Sequence, residues 1–182
     1  MKACPVNSTL TALNHLKNLF KSTIAAIALS VIALYSLPLE AKVDNGTLDL
    51  INTVEQLGFK VHINSKLCNR GFAGLFIPSE QTIHLCKGKG IATADEHDTV
   101  RHEVFHVIQY CGTPKGAGRL HPYSKDKESF IDLINVSLTK SQITHVLDAY
   151  PSRHEAVELE AFAAAQVLSA SEIQDILVQE CS

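Results

Sequence analysis

The sequence predicts an α+β fold, mostly helical, in which a small sheet of about three strands precedes one long helix. Three short apolar runs between residues 59 and 86 are typical of strands, because each is brief and bounded by polar or turn-forming residues. Elsewhere, apolar residues recur at helical spacing, in one segment before these runs and in five after them. A chain of 182 residues accommodates one globular domain plus a processed segment.

The N-terminal segment has the three parts of a secretory signal peptide. Residues 1–23 carry lysines and no acid, residues 24–37 are uncharged and apolar, and the small Ala41 stands at a plausible cleavage position. The apolar run is shorter than the about 20 residues that a membrane-spanning helix needs. We therefore expect a signal peptide at 1–41 and a domain at 42–182 with no stable membrane span. An uncleaved signal anchor and a core helix are the alternatives.

Cysteine usage agrees with export to a secreted or periplasmic location. Outside the predicted signal the sequence carries an even set of four cysteines, which in an oxidising compartment form two disulfides. Four cysteines allow three pairings, of which we favour Cys68–Cys86 and Cys111–Cys181. The sequence has no C-x-x-C spacing, which argues against zinc held by cysteines.

The composition argues against a nucleic-acid partner. The formal net charge is −3, the chain has no Trp, and aromatic residues make up 6%. Such a chain lacks both the basic surface that binds phosphates and the aromatic platforms on which bases stack.

The predicted elements begin with a helix over 44–57. Its apolar face consists of Leu48, Ile51, Val54 and Leu57, and Gly58 ends it. Strands are predicted over 59–63, 72–77 and 81–86. A polar loop separates the first two strands, and a turn at 78–80 makes the last two a hairpin.

The next helix, predicted over 95–111, is followed by a glycine-rich loop at 112–122. Thr93 or Asp95 can cap this helix, and Gly112 ends it. The loop has no Walker spacing, so we expect it to shape the functional cleft beside this helix rather than to bind phosphate. Further helices are predicted over 126–136, 139–149, 153–168 and 171–179, the last two capped by Ser152 and Ser171.

The helix at 95–111 carries the motif H-E-x-x-H, from His102 to His106. Positions i and i+4 of a helix lie on one face, so both imidazoles can bind one zinc ion. Glu103, beside the first histidine, can act as general base toward a zinc-bound water. The alternative is a chance occurrence of the motif in a histidine-rich chain.

A catalytic zinc site needs a third protein ligand. The sequence after His106 lacks the further histidine of the metzincin pattern. The helix at 153–168 offers Glu155, Glu158 and Glu160; the first two share a face with Phe162, and Glu160 points away. A carboxylate on the inner face would need a cation, whereas the alternative is that all three acids face water.

H-E-x-x-H at 102–106, followed by E-x-x-A from Glu158 to Ala161, resembles the small gluzincins, which are zinc metallopeptidases with a glutamate ligand. The resemblance implies a minimal zincin-like fold. It also implies one Zn²⁺ held by His102, His106 and Glu158, with Glu103 as base. In that group the edge of the sheet receives an extended peptide by strand addition. The N-E-x-x-S-D form of the thermolysin-like families is missing here.

We therefore expect an exported zinc metallopeptidase, a hydrolase that acts on peptides or proteins. A second donor beside zinc should stabilise the oxyanion. The candidates for it are His154, Tyr150, His145, Tyr123 and His121. The rival hypotheses are a catalytically silent zinc-binding or regulatory module and a structural domain without metal.

Overall fold

The folded part of the chain is described by a computed structural model. The predicted signal segment and the predicted cap Thr93 lie outside the described residues, as does the side chain of Asp95. All described residues belong to one compact unit, Ala41–Ser182. They are residues 45–86, 94–115, 117 and 119–182.

A small mixed sheet stands beside the motif helix. Strands β1 (Lys60–Ile63), β2 (Gly74–Ile77) and β3 (Thr82–Leu85) are arranged in the order β1-β3-β2. β2 and β3 are antiparallel, which confirms the predicted hairpin, whereas β1 runs parallel to β3. All four residues of β3 are buried because it is the central strand, and β2 packs on the motif helix.

The edge strand β1 is less buried than its sequence suggests. Its alternating pattern predicts an inward-facing Ile63, but this side chain is 54% exposed. The polar stretch after β1 contains a 3₁₀ helix, Lys66–Arg70, which ends at Gly71 with a φ of 89°. That positive φ favours glycine, which has no Cβ to clash with the backbone.

The motif helix α2 (Ala94–Gly112) packs against the sheet and against helices at both ends of the described chain, α1 (Asn45–Gln56) and α6 (Ala170–Cys181). Together these elements bury the larger apolar core. The predicted face of α1 is wrong at Leu48, which is 49% exposed, because the neighbouring Leu50 takes the buried position.

Three further helices build a second, smaller apolar cluster. They are α3 (Lys127–Ser137), α4 (Lys140–Ala149) and α5 (Ser152–Val167). Both α3 and α4 pack on α5, and α5 also packs on α2. Helix α5 is therefore buried on most of its surface and contributes side chains to both clusters. The architecture is α+β and mostly helical, as predicted.

Two of the predicted helix caps are wrong. Helix α5 begins after Pro151, without a capping side chain, so Ser152 is already helical. Helix α6 is capped by Ser169, whose hydroxyl accepts from the Glu172 amide while the Glu172 carboxylate accepts from the Ser169 amide. This reciprocal pair satisfies two amides that the first turn would otherwise leave unpaired, and Ser171 lies inside the helix.

The favoured cysteine pairing is confirmed. Cys68–Cys86 joins the 3₁₀ helix to the end of β3, and Cys111–Cys181 joins the ends of α2 and α6. Disulfides of this kind are typical of proteins from oxidising, extracellular environments. None of the described helices combines the length and the apolar character that a membrane span requires.

Candidate metal centre

Three side chains from two helices converge at one buried point. His102 and His106 extend from α2, and Glu158 extends from α5. The Nε2 atoms of the two histidines are 3.0 Å apart, and Oε2 of Glu158 lies 3.3 Å from the first and 3.5 Å from the second. The sequence therefore identified all three members of a group that could hold a metal ion.

The close packing of α2 and α5 brings these side chains together. The part of α5 that follows Glu158 presents small side chains, and Ala161 and Ala164 are fully buried. Alanine keeps a helix surface flat, so another helix can approach it closely. The carboxylate of Glu158 can then reach the histidines, and the ring of Phe162 lies 4.3 Å from that of His102.

The spacing of the three atoms fits a small tetrahedral cation. Zinc ligands lie about 2.0–2.1 Å from the ion, so two of them in tetrahedral geometry lie about 3.3–3.4 Å apart. The three distances between the ligand atoms scatter around this value. In addition, Oε2 of Glu158 is buried without a hydrogen-bond partner in the described part of the chain. A buried carboxylate oxygen in this position needs positive charge.

The pKa values of the two histidines also indicate a site for a cation. Burial lowers the pKa of His102 to about 4, and the neighbouring His106 lowers it further against the effect of Glu158. Burial would also lower the pKa of His106, but the adjacent Glu158 carboxylate and the charge of Glu103 raise it to about 9. Without a metal, the group favours one positive charge held between the two imidazoles. A bound cation can replace that charge.

Glu103 lies beside this group, against strand β2. Burial raises the pKa of its carboxyl to about 7, and Glu158 adds to the rise, while His106 and a hydrogen bond from the Phe76 amide oppose it. The contact with β2 requires glycine at position 74. A Cβ there would stand 2.6 Å from Cγ and 2.8 Å from Cδ of Glu103, well inside contact distance. Gly74 therefore makes room for this carboxylate.

The group opens onto a cavity of about 600 Å³. One wall is formed by β2 and the residues before it, from Phe72 to Gly74. The opposite wall comes from α4 and from Tyr150, which follows it. Burial of Tyr150, together with the nearby carboxylates of Glu158 and Glu103, raises the pKa of its hydroxyl, so it keeps its proton. His145 lines the same cavity.

The other predicted oxyanion donors do not line this cavity. His154 accepts a hydrogen bond from Arg153 on an exposed surface, and the Tyr123 hydroxyl donates to Glu180. The backbone amide of His121 donates to Thr113. The glycine-rich loop at 112–122 is also placed differently from the prediction. Its described residues line a second cavity, next to the C-terminal end of α6.

Glu160 is the residue whose role sequence reasoning missed. It points away from the histidines as predicted, but it is fully buried rather than solvent-facing. Its carboxylate accepts hydrogen bonds from Gln109 and from the backbone amides of Tyr123 and Ser124. Its partner Gln109 lies three positions after His106 on α2, so the two side chains share one face of that helix. This spacing is the one signal in the sequence that could have identified Gln109, and through it the role of Glu160.

No protein-family model, curated protein or solved structure matches this chain. Its function therefore has to be argued from its own residues. They provide a buried group of His102, His106 and Glu158 that could hold a metal ion, in a domain closed by two disulfides.

Proposed function

We propose that this protein is an exported zinc metallopeptidase. The observation that carries the proposal is the tetrahedral spacing of the three ligand atoms of His102, His106 and Glu158. Two imidazoles and one carboxylate form a donor set that suits zinc and leaves a coordination position free. The predicted signal segment and the disulfides support export.

Glu103 gives the proposed site its chemistry. Zinc, when bound, supplies Lewis acidity that activates water and polarises a peptide carbonyl. The carboxylate of Glu103 takes a proton from the attacking water and passes it to the nitrogen of the leaving amine. Burial against β2 and the amide of Phe76 hold this carboxylate in one place. A module that only bound zinc would have no use for such a carboxylate.

Three features of the cavity lining complete the proposal. The protonated hydroxyl of Tyr150 is a hydrogen-bond donor for the oxyanion, because Tyr150 lines the cavity beside the metal group. His145 is a second donor on the same wall. Strand β2 is an edge of the described sheet and borders the cavity at Gly74, so an extended peptide can add to it as a further strand.

The test compares the zinc-loaded protein with its Glu103→Gln variant on a mixture of unstructured peptides, with cleavage products identified by mass spectrometry. We expect both proteins to hold one zinc ion. We expect cleavage by the variant to be at least about 100-fold slower, because the proton acceptor is lost.

The matched control is Glu155→Gln, the same substitution at a glutamate on α5 outside the metal group. This variant should cleave as the unmodified protein does. Equal cleavage by the Glu103→Gln variant would reject the peptidase mechanism. Zinc binding without any cleavage by the unmodified protein would favour the catalytically silent module instead.

A further inference from the structure

We propose that Gln109 and Glu160 act as positioning residues for His106, fixing which of its ring nitrogens faces the metal. The proposal rests on the zinc site proposed above. The pair reaches His106 from the side opposite to Glu158, through a continuous chain of hydrogen bonds. All three residues of this chain are buried, so water cannot substitute for a missing partner.

The orientation of the Gln109 amide follows from its neighbours. One end of the amide lies 3.0 Å from the carbonyl oxygen of Val157 and 2.9 Å from Oε2 of Glu160. Both of these atoms accept hydrogen bonds, so the NH₂ group must face them. The carbonyl Oε1 of Gln109 then faces Nδ1 of His106, at 2.7 Å.

This orientation determines the tautomer of His106. Because Oε1 of Gln109 can only accept, Nδ1 of His106 must carry a hydrogen. A neutral imidazole with its proton on Nδ1 has its lone pair on Nε2, the atom that faces His102 and Glu158. The hydrogen bond to Gln109 therefore keeps the hydrogen on Nδ1, so that Nε2 is the nitrogen that faces the metal once the metal-free group has released its proton.

Glu160 keeps the amide from turning over. The backbone amide of Tyr123 lies 2.5 Å from its Oε2, and the amide of Ser124 lies 2.7 Å from its Oε1. With both oxygens accepting from fixed backbone donors, the carboxylate cannot rotate away from Gln109. The segment at 123–124 is thus connected to His106 through Glu160 and Gln109.

His102 has no equivalent support. Its Nδ1 is buried and makes no hydrogen bond to the residues that the structure describes. The two histidines are therefore held differently: His102 by ring contacts with Phe162 and His106, and His106 by a directed hydrogen bond. Loss of Gln109 should therefore affect His106 selectively.

The first test measures zinc affinity by competition with a chelator for the unmodified protein and the Gln109→Met variant. Methionine has a similar length but cannot accept the Nδ1 hydrogen. We expect binding about 10- to 100-fold weaker, the usual cost of losing a partner that orients a metal ligand.

The control is Thr113→Val. The Thr113 hydroxyl donates to the backbone carbonyl of Gln109 and accepts from the backbone amide of His121, and the substitution removes both hydrogen bonds. Neither of them involves the side chain of His106. Both variants should lose some stability against urea, but only Gln109→Met should lose zinc affinity. Equal zinc affinity in the unmodified protein and the Gln109→Met variant would overturn the proposal.

The second test needs no variant that has to fold. A long-range ¹H–¹⁵N spectrum of the histidine rings in the zinc-loaded, unmodified protein reports which ring nitrogen of His106 keeps its hydrogen. We expect a protonated Nδ1 whose hydrogen exchanges slowly with water. An unprotonated Nδ1 would overturn the proposal. Neither test measures cleavage, so the positioning role can fail while the peptidase assignment stands, or the reverse.

Discussion

The domain has two regions that differ in how firmly they are held. The sheet region, made of α1, the three strands, α2 and α6, contains both disulfides and the larger apolar core. The α3–α4 region has neither a disulfide nor an independent core among the described residues, and both of its helices pack on α5. Both regions expose some apolar side chains, but the most exposed of the large ones in the described residues, Val136 at 82%, lies on α3.

The candidate metal centre lies where these regions meet. The sheet region supplies His102, Glu103 and His106, and α5 supplies Glu158. The α3–α4 region supplies none of these, but α4 forms one wall of the cavity. Three of these four groups thus stand on the region that contains the disulfides and the fourth stands on α5, whereas the α3–α4 region borders only the cavity.

Removing the disulfides of the sheet region should have the largest effect, a loss in the free energy of unfolding. Replacing Cys111 and Cys181 together by Ser should lower the free energy of unfolding by about 4.4 kcal/mol, because the bond closes a loop with a sequence separation of 70. Replacing Cys68 and Cys86 should cost less, about 3.2 kcal/mol, for a separation of 18. Urea unfolding in the absence of reductant measures both. A larger loss from the shorter loop would contradict the expectation.

The next largest effect should come from Glu158, the ligand candidate that α5 contributes between the two regions. Free zinc at about 1,000 times its Kd should stabilise the folded protein by about 4.1 kcal/mol, since the unfolded chain has no assembled site. The Glu158→Gln variant should lose most of this gain, whereas Glu155→Gln should keep it. Thermal unfolding with and without zinc measures the difference. A gain retained by Glu158→Gln would mean that α5 does not contribute the third ligand.

The smallest effect should be confined to the α3–α4 region. Val146 is 2% exposed and packs in the smaller cluster, so Val146→Ala should lower the free energy of unfolding by about 2 kcal/mol. Zinc affinity should stay unchanged, because the ligands stand on α2 and α5. Urea unfolding and chelator competition on the same sample measure both quantities. A parallel loss of zinc affinity would show that the two regions are not separable.

Much of the fold could be predicted from periodicity. The types of the helices and strands are correct, and their bounds differ from the predicted ones by a few residues. The errors fall where one residue decides between two faces, as for Leu48 and Leu50 in α1. A helical pattern gives the direction of a face, but the neighbour that packs on it decides which apolar residue is buried.

The sequence predicted the metal-binding group of the candidate site but not the buried acid behind it. His102 and His106 have the types and the spacing that metal binding requires, so local sequence suffices to nominate them. Among the three glutamates of α5, only the resemblance to the gluzincins singled out Glu158. Glu160 was predicted only to point away from the face that carries Glu158, and no partner was predicted for it. Because α5 is buried nearly all round, its second acid also needed partners, and these come from distant parts of the chain.

The contact between Gly74 and Glu103 predicts that these two positions change together in evolution. The space that the carboxylate occupies exists only while position 74 has no side chain. In related chains, a larger residue at 74 should therefore appear together with a shorter residue at 103. Covariation of these two positions would separate chains that keep the carboxylate of the proposed mechanism from chains that have lost it.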